Sequence, residues 1–346
     1  MHILKLPCKI FTISGCFRPQ SWTSLFKRTV YNIYKLYTFT MIYTVSILQI
    51  MDIVLYVDNI NDLTDNLNVM INSLVSCYKI FIVSLSYENI VALINCLTEE
   101  PFKPLDSDEM KILQHYDEII RKNTLRYTSF VTISAGFVFL SSLFTDFRYK
   151  RLKFREWIPY DYSSNTMYCI TYFQQMLSLS HCVIVNISTD NIMCGFIMHI
   201  CCQIEILKYR LKKMLSKQLT LDYCIRHHNQ IFKFAQIVNL KFTKIIGFQF
   251  IASTMVICCN LYQIFVYCWF GNELKLKSLQ LIDSIFQMEW PILNNSIKKS
   301  LLLIMKRTKT PIEITTIFIF TMNLETFVAL LKTSYSVYNL LVKTQE

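Results

Sequence analysis

The sequence predicts an all-α, polytopic membrane protein with a cytosolic N-terminus, forming one multi-span domain over residues 1–346. Of its residues, 53% are hydrophobic and only 17% are charged, against about 25% in a typical soluble domain. Apolar runs also recur at about 20 residues, the length at which a helix crosses ~30 Å of hydrocarbon. A disordered chain is excluded, because disorder requires few hydrophobic and many charged residues.

The N-terminal segment, residues 1–35, is basic and contains no acidic residue. It lacks the apolar core and the small-residue cleavage site of a signal peptide. Positively charged segments beside membrane spans stay in the cytosol, so this segment is predicted to be cytosolic. Its basic residues are Lys5, Lys9, Arg18, Lys27, Arg28 and Lys35.

Four apolar runs follow, at 36–57, 67–87, 127–147 and from Met167 onwards. The distribution of Lys and Arg supports a cytosolic N-terminus, because the first outer loop, 58–66, contains three Asp and neither Lys nor Arg. The second outer segment, 148–166, opposes the bias with five basic residues. The bias is a tendency, and we retain the predicted orientation.

Asn72, Lys79 and Asp190 interrupt the apolar runs. Polar groups in a membrane span are costly unless protein or water surrounds them, and they often mark functional sites. The alternative is structural: Lys79 extends its side chain to the headgroups, and Asp190 lies near the cytosolic boundary. The sequence leaves both interpretations open.

The fourth run continues as a helical pattern from residue 167 to about 214 without a proline. At 1.5 Å per residue this makes a rod of roughly 70 Å, more than twice the hydrocarbon thickness. Its end carries Lys208, Arg210 and Lys212, which favour water. We therefore expect an intracellular helical anchor, formed by about 191–244 and 271–320.

The run 245–270 produces a conflict between charge and length. The stretch after it, 271–321, contains seven basic residues and should be cytosolic, which requires the run to cross the membrane twice. Two crossings need roughly 40 residues, and this run has 26. One crossing would place the C-terminus inside and two would place it outside, so its side stays open.

The last run, about 322–343, carries a polar stripe. Thr333, Ser336 and Asn339 follow in steps of three, and Leu340 lies four residues after Ser336, so all share one helical face. Polar groups beside an apolar residue suit a water-filled pore with a hydrophobic constriction. Hydrogen bonding of Ser and Thr to their own helix, with helix packing, is the alternative.

The sequence contains no catalytic or cofactor-binding motif: there is no G-x-S-x-G, Walker loop, H-E-x-x-H or glycine-rich dinucleotide turn. We therefore predict neither an enzyme nor a cofactor. The 13 Cys form no C-x-x-C pair, so packing is favoured over disulfides or metal binding. The basic residues that give the net charge of +11 lie beside membrane spans, which favours membrane lipid over nucleic acid as their partner.

Ordered motifs in the C-terminal third resemble those of the insect odorant receptor family. Residues 267–273 resemble the cytosolic end of the family's sixth span, and Phe286 and Trp290 stand where the family has an aromatic residue and then Trp. Residues 298–301 and 307–311 resemble its cytosolic helix before the pore. Residues 323–327 and 332–336 resemble its closing motifs. The match is good over about 221–346 and rests on the span pattern before that.

The chain departs from the family at one place. The family builds spans five and six, with an outer loop, between stretches like 245–263 and 264–273, and here those stretches abut. The chain thus resembles a seven-span receptor in which spans five and six are merged. This is the same region in which charge and length disagree.

The resemblance implies an odorant receptor subunit, an odorant-gated nonselective cation channel that assembles with a co-receptor into a heterotetramer. It implies a multi-pass protein of the plasma membrane of olfactory neurons, gated by a small volatile organic ligand. The family's pore is lined by its last helix, which assigns Ser336, Asn339 and Leu340 to the pore. A gustatory receptor channel is the nearest alternative, and a G-protein-coupled receptor is a more distant one that the charge bias opposes.

The resemblance also implies a ligand pocket in the outer half of the membrane. With the N-terminus inside, the outer halves of spans two, three and four contain mostly apolar and aromatic residues, suited to a weakly polar odorant. The candidate ligand contacts are Met70, Ile71, Leu74, Phe137, Leu140, Phe144, Tyr172, Phe173 and Met176. Tyr172 is the leading candidate, because its hydroxyl needs a partner in hydrocarbon.

Overall fold

The computed structural model describes residues 4–19, 21–56, 60–215, 220–292, 294–316 and 320–343. The helices are α1 (Lys5–Ile13), α2 (Leu25–Tyr56), α3 (Ile60–Leu85), α4 (Tyr87–Cys96), α5 (Ser107–Phe144), α6 (Asn165–Leu215), α7 (Leu221–Phe286), α8 (Asn295–Thr308) and α9 (Leu324–Lys343). A 3₁₀ turn at Trp290–Ile292 and a two-residue antiparallel ladder, β1 (Thr315–Thr316) with β2 (Phe320–Thr321), complete the described elements. The all-α fold predicted from the composition is confirmed.

Among the described residues, five helices are long and apolar enough to cross a membrane: α2, the Asn66–Leu85 part of α3, α5, the Asn165–Met214 part of α6, and α7. The predicted fourth run therefore lies in one helix, as its periodicity indicated. α7 has 66 residues, or about 100 Å at 1.5 Å per residue. It contains the whole run 245–270. α9, which covers the predicted pore helix, is not among these five helices.

The chain divides into two compact units, residues 1–254 and 255–346. In the first unit, α6 lies at the centre and contacts α1, α2, α3 and α5. Its core side chains include Ile42, Ile80, Val185, Phe196 and Phe242, all fully or almost fully buried. The single domain predicted for 1–346 remains a prediction.

The basic N-terminal segment contains a helix that the charge pattern did not predict. α1 buries Pro7 and Phe11, and Leu4 packs so closely on α6 that a Cβ added at Gly195 would lie 2.5 Å from its Cδ2. Gly15, two residues after the end of α1, has a φ of +77°, a backbone conformation that glycine adopts without strain. The N-terminal segment is therefore fixed against the spans.

The loop 145–164 is held against α2 and α6 by hydrogen bonds. The backbone N–H of Trp157 donates to the carbonyl of Leu48 at 3.1 Å, and the Gln175 amide donates to the carbonyl of Phe154 at 2.8 Å. Two of its basic residues have acidic partners: Lys153 lies 3.3 Å from Asp146, and Arg155 lies 3.6 Å from Asp52. These pairs account for part of the basic charge that opposed the orientation bias.

A buried ionic network ties the segment before α5 to α6 and α7. The Arg210 guanidinium donates to both carboxylate oxygens of Glu109, at 2.9 and 2.8 Å. It also donates to the carbonyls of Pro101 and Lys103 and contacts Nδ1 of His227. His227 is fully buried, although it lies in a basic stretch of the sequence. The burial of His227 could not be predicted from the basic stretch, because its charged neighbours lie on the other faces of the helix.

The second unit contains the later part of α7, α8, the ladder and α9. Its tightest approach is between α7 and the segment before α9, where a Cβ added at Gly271 would lie 2.1 Å from the Met322 carbonyl oxygen. Phe265 packs on Phe327 with ring centroids 5.4 Å apart. Only glycine fits at position 271, which gives a steric reason for the glycine in the motif 267–273.

Candidate ligand-binding site

A cavity of about 430 Å³ lies among α3, α5, α6 and α7 in the first unit. We call it the Phe139 cavity. Its lining residues are Val69, Asn72, Ser73 and Val75 of α3; Tyr127, Val131, Ala135, Val138 and Phe139 of α5; Phe154 of the following loop; Met176, Leu179, Ser180, Cys182, Val183, Asn186, Ile187 and Asp190 of α6; and Gln249, Ala252 and Ser253 of α7.

The Phe139 cavity is apolar with a few polar groups. Most of its surface comes from aliphatic, aromatic and sulfur-containing side chains, among them Phe139, Phe154 and Met176. Such side chains provide dispersion contacts with little directional demand. The size falls within the range of about 300–1,000 Å³ typical of small-molecule sites. The cavity is suited to a small, weakly polar organic molecule.

A buried ion pair lies at the polar end of this cavity. Lys79 Nζ of α3 is 2.6 Å from Asp190 Oδ1 of α6, and the two side chains are 1% and 18% exposed. The Tyr127 hydroxyl of α5 donates to the other carboxylate oxygen, Oδ2, at 3.1 Å. Lys79 therefore does not extend to the headgroups. The residues that interrupted two apolar runs meet in one cluster, which we call the Lys79 cluster.

The Lys79 cluster is arranged to offset the cost of burying charge. A buried pair recovers its desolvation penalty only when further hydrogen bonds satisfy both ions. Here each carboxylate oxygen of Asp190 has its own donor. Three helices each contribute one member, so the cluster also fixes how α3, α5 and α6 sit together.

A second cavity, of about 620 Å³, also has Tyr127 and Asp190 in its lining, and we call it the Cys194 cavity. It is lined by α5, α6 and α7, with Ile120, Thr124, Cys194, Met198 and Phe250 among its residues. Both cavities are lined by Tyr127, Asp190, Gln249 and Ser253. The Tyr127–Asp190 hydrogen bond thus forms part of the wall of each cavity.

The predicted ligand contacts do not gather at one place. Of the nine, Met176 lines the Phe139 cavity, and the other eight line neither of the two cavities. Phe137, Leu140 and Phe144 are exposed on the surface of α5, as is Phe173 on α6, whereas Ile71 is buried and Met70 and Leu74 are half-buried. The sequence identified helices that form the cavity, but the face that each helix turns inward depends on its neighbours. All nine remain predictions.

Tyr172 is fully buried. Its hydroxyl donates to Ser142 Oγ at 2.8 Å, and its ring packs against Phe147, with centroids 5.0 Å apart, and against Tyr168 and Phe173. The partner that the hydroxyl requires is thus supplied by α5. Met176 is part of the same aromatic cluster and also faces the cavity. Tyr172 therefore lies behind the cavity wall.

The predicted pore residues lie on α9, where Ser336, Asn339 and Leu340 are all exposed. The Ser336 hydroxyl donates to the carbonyl of Lys332 at 2.9 Å, and Thr333 and Ser334 bond in the same way to their own helix. This is the back-bonding that we considered as the alternative for the stripe. It leaves the Asn339 side chain as the stripe's remaining polar group, and the pore assignment remains a prediction.

These features define a multi-span helical membrane protein with a buried, largely apolar small-molecule cavity. The family model described as "7tm Odorant receptor" matches residues 59–265 and 259–335, which together cover most of the chain. The chain belongs to the insect odorant receptor family. The resemblance carried by its C-terminal motifs is confirmed.

Sequence and structure relatives agree with this assignment. Odorant receptor Or2 of Anopheles gambiae is 28% identical over 144 residues, which are 35% of this chain and 38% of that protein. Odorant receptor 10 of Aedes albopictus is 30% identical over 140 residues, 34% of this chain and 37% of that one. The matched part therefore spans about two fifths of these relatives.

The fold is similar to that of the olfactory receptor OR5 from Machilis hrabei, solved in complex with eugenol. The TM-score is 0.61 at 18% sequence identity, and the match covers 99% of each chain. The two segments matched by the family model meet at residues 259–265. This junction coincides with the place where the motifs indicated that spans five and six abut.

Proposed function

We propose that this odorant receptor binds a small, weakly polar volatile molecule in the Phe139 cavity and thereby gates a nonselective cation channel. It acts with a co-receptor as a heterotetramer in the plasma membrane of olfactory neurons. The observation that carries the proposal is an apolar cavity with the Lys79 cluster at one end. The family's activity as a ligand-gated channel and the complex of OR5 with eugenol support the same conclusion.

The cavity suits ligand sensing because several helices share it. A molecule that fills the space touches side chains of α3, α5, α6 and α7 at once. A ligand shifts a conformational equilibrium only by its differential affinity for the two states. Contacts with four helices, whose relative positions differ between closed and open states, can provide that difference.

The test compares two aromatic residues of α5 that lie two positions apart. Phe139 lines the cavity, whereas Phe137 is 69% exposed on the helix surface. The receptor is expressed with the co-receptor, and currents are recorded against a panel of volatile esters, alcohols, ketones and phenols that includes eugenol. We expect Phe139→Ala and Met176→Ala to raise the half-maximal concentration about tenfold or more, a loss of ~1.4 kcal/mol of binding.

Phe137→Ala is the matched control and should leave the dose–response curve unchanged. A direct agonist of the co-receptor must evoke normal current in every variant, which shows that assembly and conduction are intact. If Phe137→Ala lowers odorant sensitivity while Phe139→Ala does not, the ligand binds on the face predicted from the sequence, and the Phe139 cavity is not the site.

Channel activity is tested separately from ligand binding. Currents recorded under G-protein blockade should persist and should require the co-receptor. Replacing Leu340 by Ala at the predicted constriction should change ion selectivity or the leak current, whereas replacing Val337 on the same helix should not. Odorant currents that vanish under blockade would contradict direct gating and favour the metabotropic alternative.

A further inference from the structure

A cleft between the N-terminal helix and α5 combines three cations with an apolar wall. Its volume is about 410 Å³. Lys5 and Lys9 of α1 and Arg121 of α5 line it together with Asp117, so its net charge is positive. The apolar residues of the lining are Leu6, Pro7, Ile120 and Leu125. We call this the α1–α5 cleft.

The cations are exposed, but the helix that carries two of them is fixed. α1 is held by Leu4 and Phe11, which are fully buried, and the Tyr31 hydroxyl donates to the carbonyl of Thr12 at 3.1 Å. Lys5 and Lys9 are separated by four residues, so both project from one face of α1. The backbone that positions the cations is ordered before any anion binds, which lowers the entropic cost of binding.

The cleft lies at the depth of the lipid headgroups. Along α5, residues 127–145 contain no charged side chain, and at 1.5 Å per residue these 19 residues cover about 28 Å, close to the hydrocarbon thickness. Arg121 precedes this run by six residues, or about 9 Å along the helix, so its backbone lies just outside the headgroup layer and its long side chain can reach into it. The headgroup layer occupies roughly the first 5–8 Å outside the hydrocarbon.

We propose that the α1–α5 cleft binds the headgroup of an anionic phospholipid from the leaflet on the N-terminal side. Lys5, Lys9 and Arg121 hold the phosphate and its neighbouring anionic group, and the start of an acyl chain lies against Leu6, Ile120 and Leu125. Basic clefts between helices on the cytosolic side of a membrane provide the charge that such headgroups need. The apolar wall favours a lipid over a soluble anion, because a soluble anion has no acyl chain to pack against it.

The test measures lipid binding to the purified full-length receptor in neutral detergent. Binding of a fluorescent phosphatidylserine is compared with that of the matching phosphatidylcholine. Each cation removed should weaken phosphatidylserine binding about fivefold, from the contribution of one Lys or Arg near an anionic surface. The triple variant Lys5→Gln, Lys9→Gln, Arg121→Gln should therefore lose the preference for phosphatidylserine, and Arg121→Gln alone should lose part of it.

A charge-matched control removes three exposed cations outside the cleft: Lys27→Gln, Arg28→Gln and Lys233→Gln. This variant has the same net charge as the triple variant and should bind phosphatidylserine like the wild type. Helicity and monodispersity of each variant show that it is folded. If the triple variant does not fold, the single variant Arg121→Gln still provides the test.

Three results would overturn the proposal. Equal loss in the cleft variant and the control would show general surface attraction instead of a site. Displacement of the labelled lipid by inorganic phosphate at millimolar concentration, with the same sensitivity to Arg121→Gln, would assign the cleft to a soluble anion. Retained preference in the folded triple variant would likewise refute a headgroup site.

Discussion

The Lys79–Asp190 pair shows how a single charge in an apolar run acquires a structural role. Neither residue is explained by its own helix, since each interrupts a hydrophobic stretch. Their 2.6 Å contact joins α3 to α6, and Tyr127 adds α5. Removing one partner of a buried pair is far more harmful than removing both, because the remaining charge has no counter-ion.

We predict that Lys79→Met destabilises the receptor by about 3 kcal/mol or more, because Asp190 is left without its cation. The double variant Lys79→Met, Asp190→Leu should recover most of the loss. Lys111→Met, which removes an exposed lysine paired with Asp108, should leave the stability nearly unchanged. Thermal unfolding in detergent and surface expression both report the effect. Equal losses in the two single variants would contradict the structural role of the pair.

Glu156, in the loop 145–164, provides a pH-dependent contact. Burial raises the pKa of its carboxyl from 4.5 to about 7, with Asp52 adding to the rise and the hydrogen bond from Gln175 opposing it. Between these pKa values the folded loop binds more protons than the unfolded loop. The stability of the loop is therefore highest at acidic pH and decreases as the pH rises from about 4.5 to about 7.

As Glu156 ionises between about pH 5 and about pH 8, we expect amide exchange in the loop 145–164 to become faster than the intrinsic pH dependence of exchange alone would make it. Glu156→Gln keeps the hydrogen-bonding shape without the titration and should remove that dependence. Asp161→Asn, at an exposed position of the same loop, is the control and should leave it unchanged. A pH dependence that survives Glu156→Gln would mean that another group is responsible.

At the scale of helices and loops, the Arg210 network holds three elements together. Arg210 and Glu109 are both fully buried, and Arg210 also closes the segment 101–106 by binding two of its backbone carbonyls. The guanidinium uses its planar, multidentate geometry, which a lysine cannot reproduce. The segment before α5 should therefore open when this one side chain is lost.

We predict that Arg210→Met raises amide exchange across 97–106 and lowers stability by about 3–5 kcal/mol, because the Glu109 carboxylate stays buried without its counter-ion. Arg210→Lys should recover only part of the stability. Lys208→Met, which breaks an exposed pair with Glu205 on the same helix, should leave the stability nearly unchanged. If exchange in 97–106 does not change in Arg210→Met, the network does not hold this segment closed.

Helices with long apolar or periodic patterns could be predicted from the sequence, and contacts between distant residues could not. The continuous α6 follows from its uninterrupted pattern, and α9 falls within the predicted 322–343. α1 was missed because a short amphipathic helix between charged residues reads as a polar tail. Two members of the Lys79 cluster were visible as polar interruptions, but pairing Lys79 with Asp190, 111 residues away, requires the packed bundle. Which face of each span turns inward could not be predicted for the same reason, because spacing defines a face without showing which neighbour covers it.

For the whole molecule, the open question is how the chain is oriented in the membrane and how often the merged spans five and six cross it. α7 runs through the junction of the two family-matched segments without a break. We predict that an N-terminal tag is stained only in permeabilised cells, because the basic segment 1–35 stays inside. A tag inserted in the loop 145–164 should be stained in intact cells and serves as the control.

The same experiment with a C-terminal tag counts the crossings of 245–270. Staining only after permeabilisation corresponds to one crossing, and staining of intact cells corresponds to two. An N-terminal tag exposed on intact cells would contradict the predicted orientation whatever the C-terminal tag shows.

The wall that the two cavities share has a thermodynamic consequence. Tyr127 and Asp190 line both the Phe139 cavity and the Cys194 cavity, so a molecule that displaces the Tyr127 hydroxyl from one side alters the surface presented on the other. Occupancies of the two spaces are then coupled, and linkage makes the coupling reciprocal: each occupant changes the other's affinity by the same factor. A compound resident in the larger cavity would act as a silent modulator, tuning the response to an odorant without touching it.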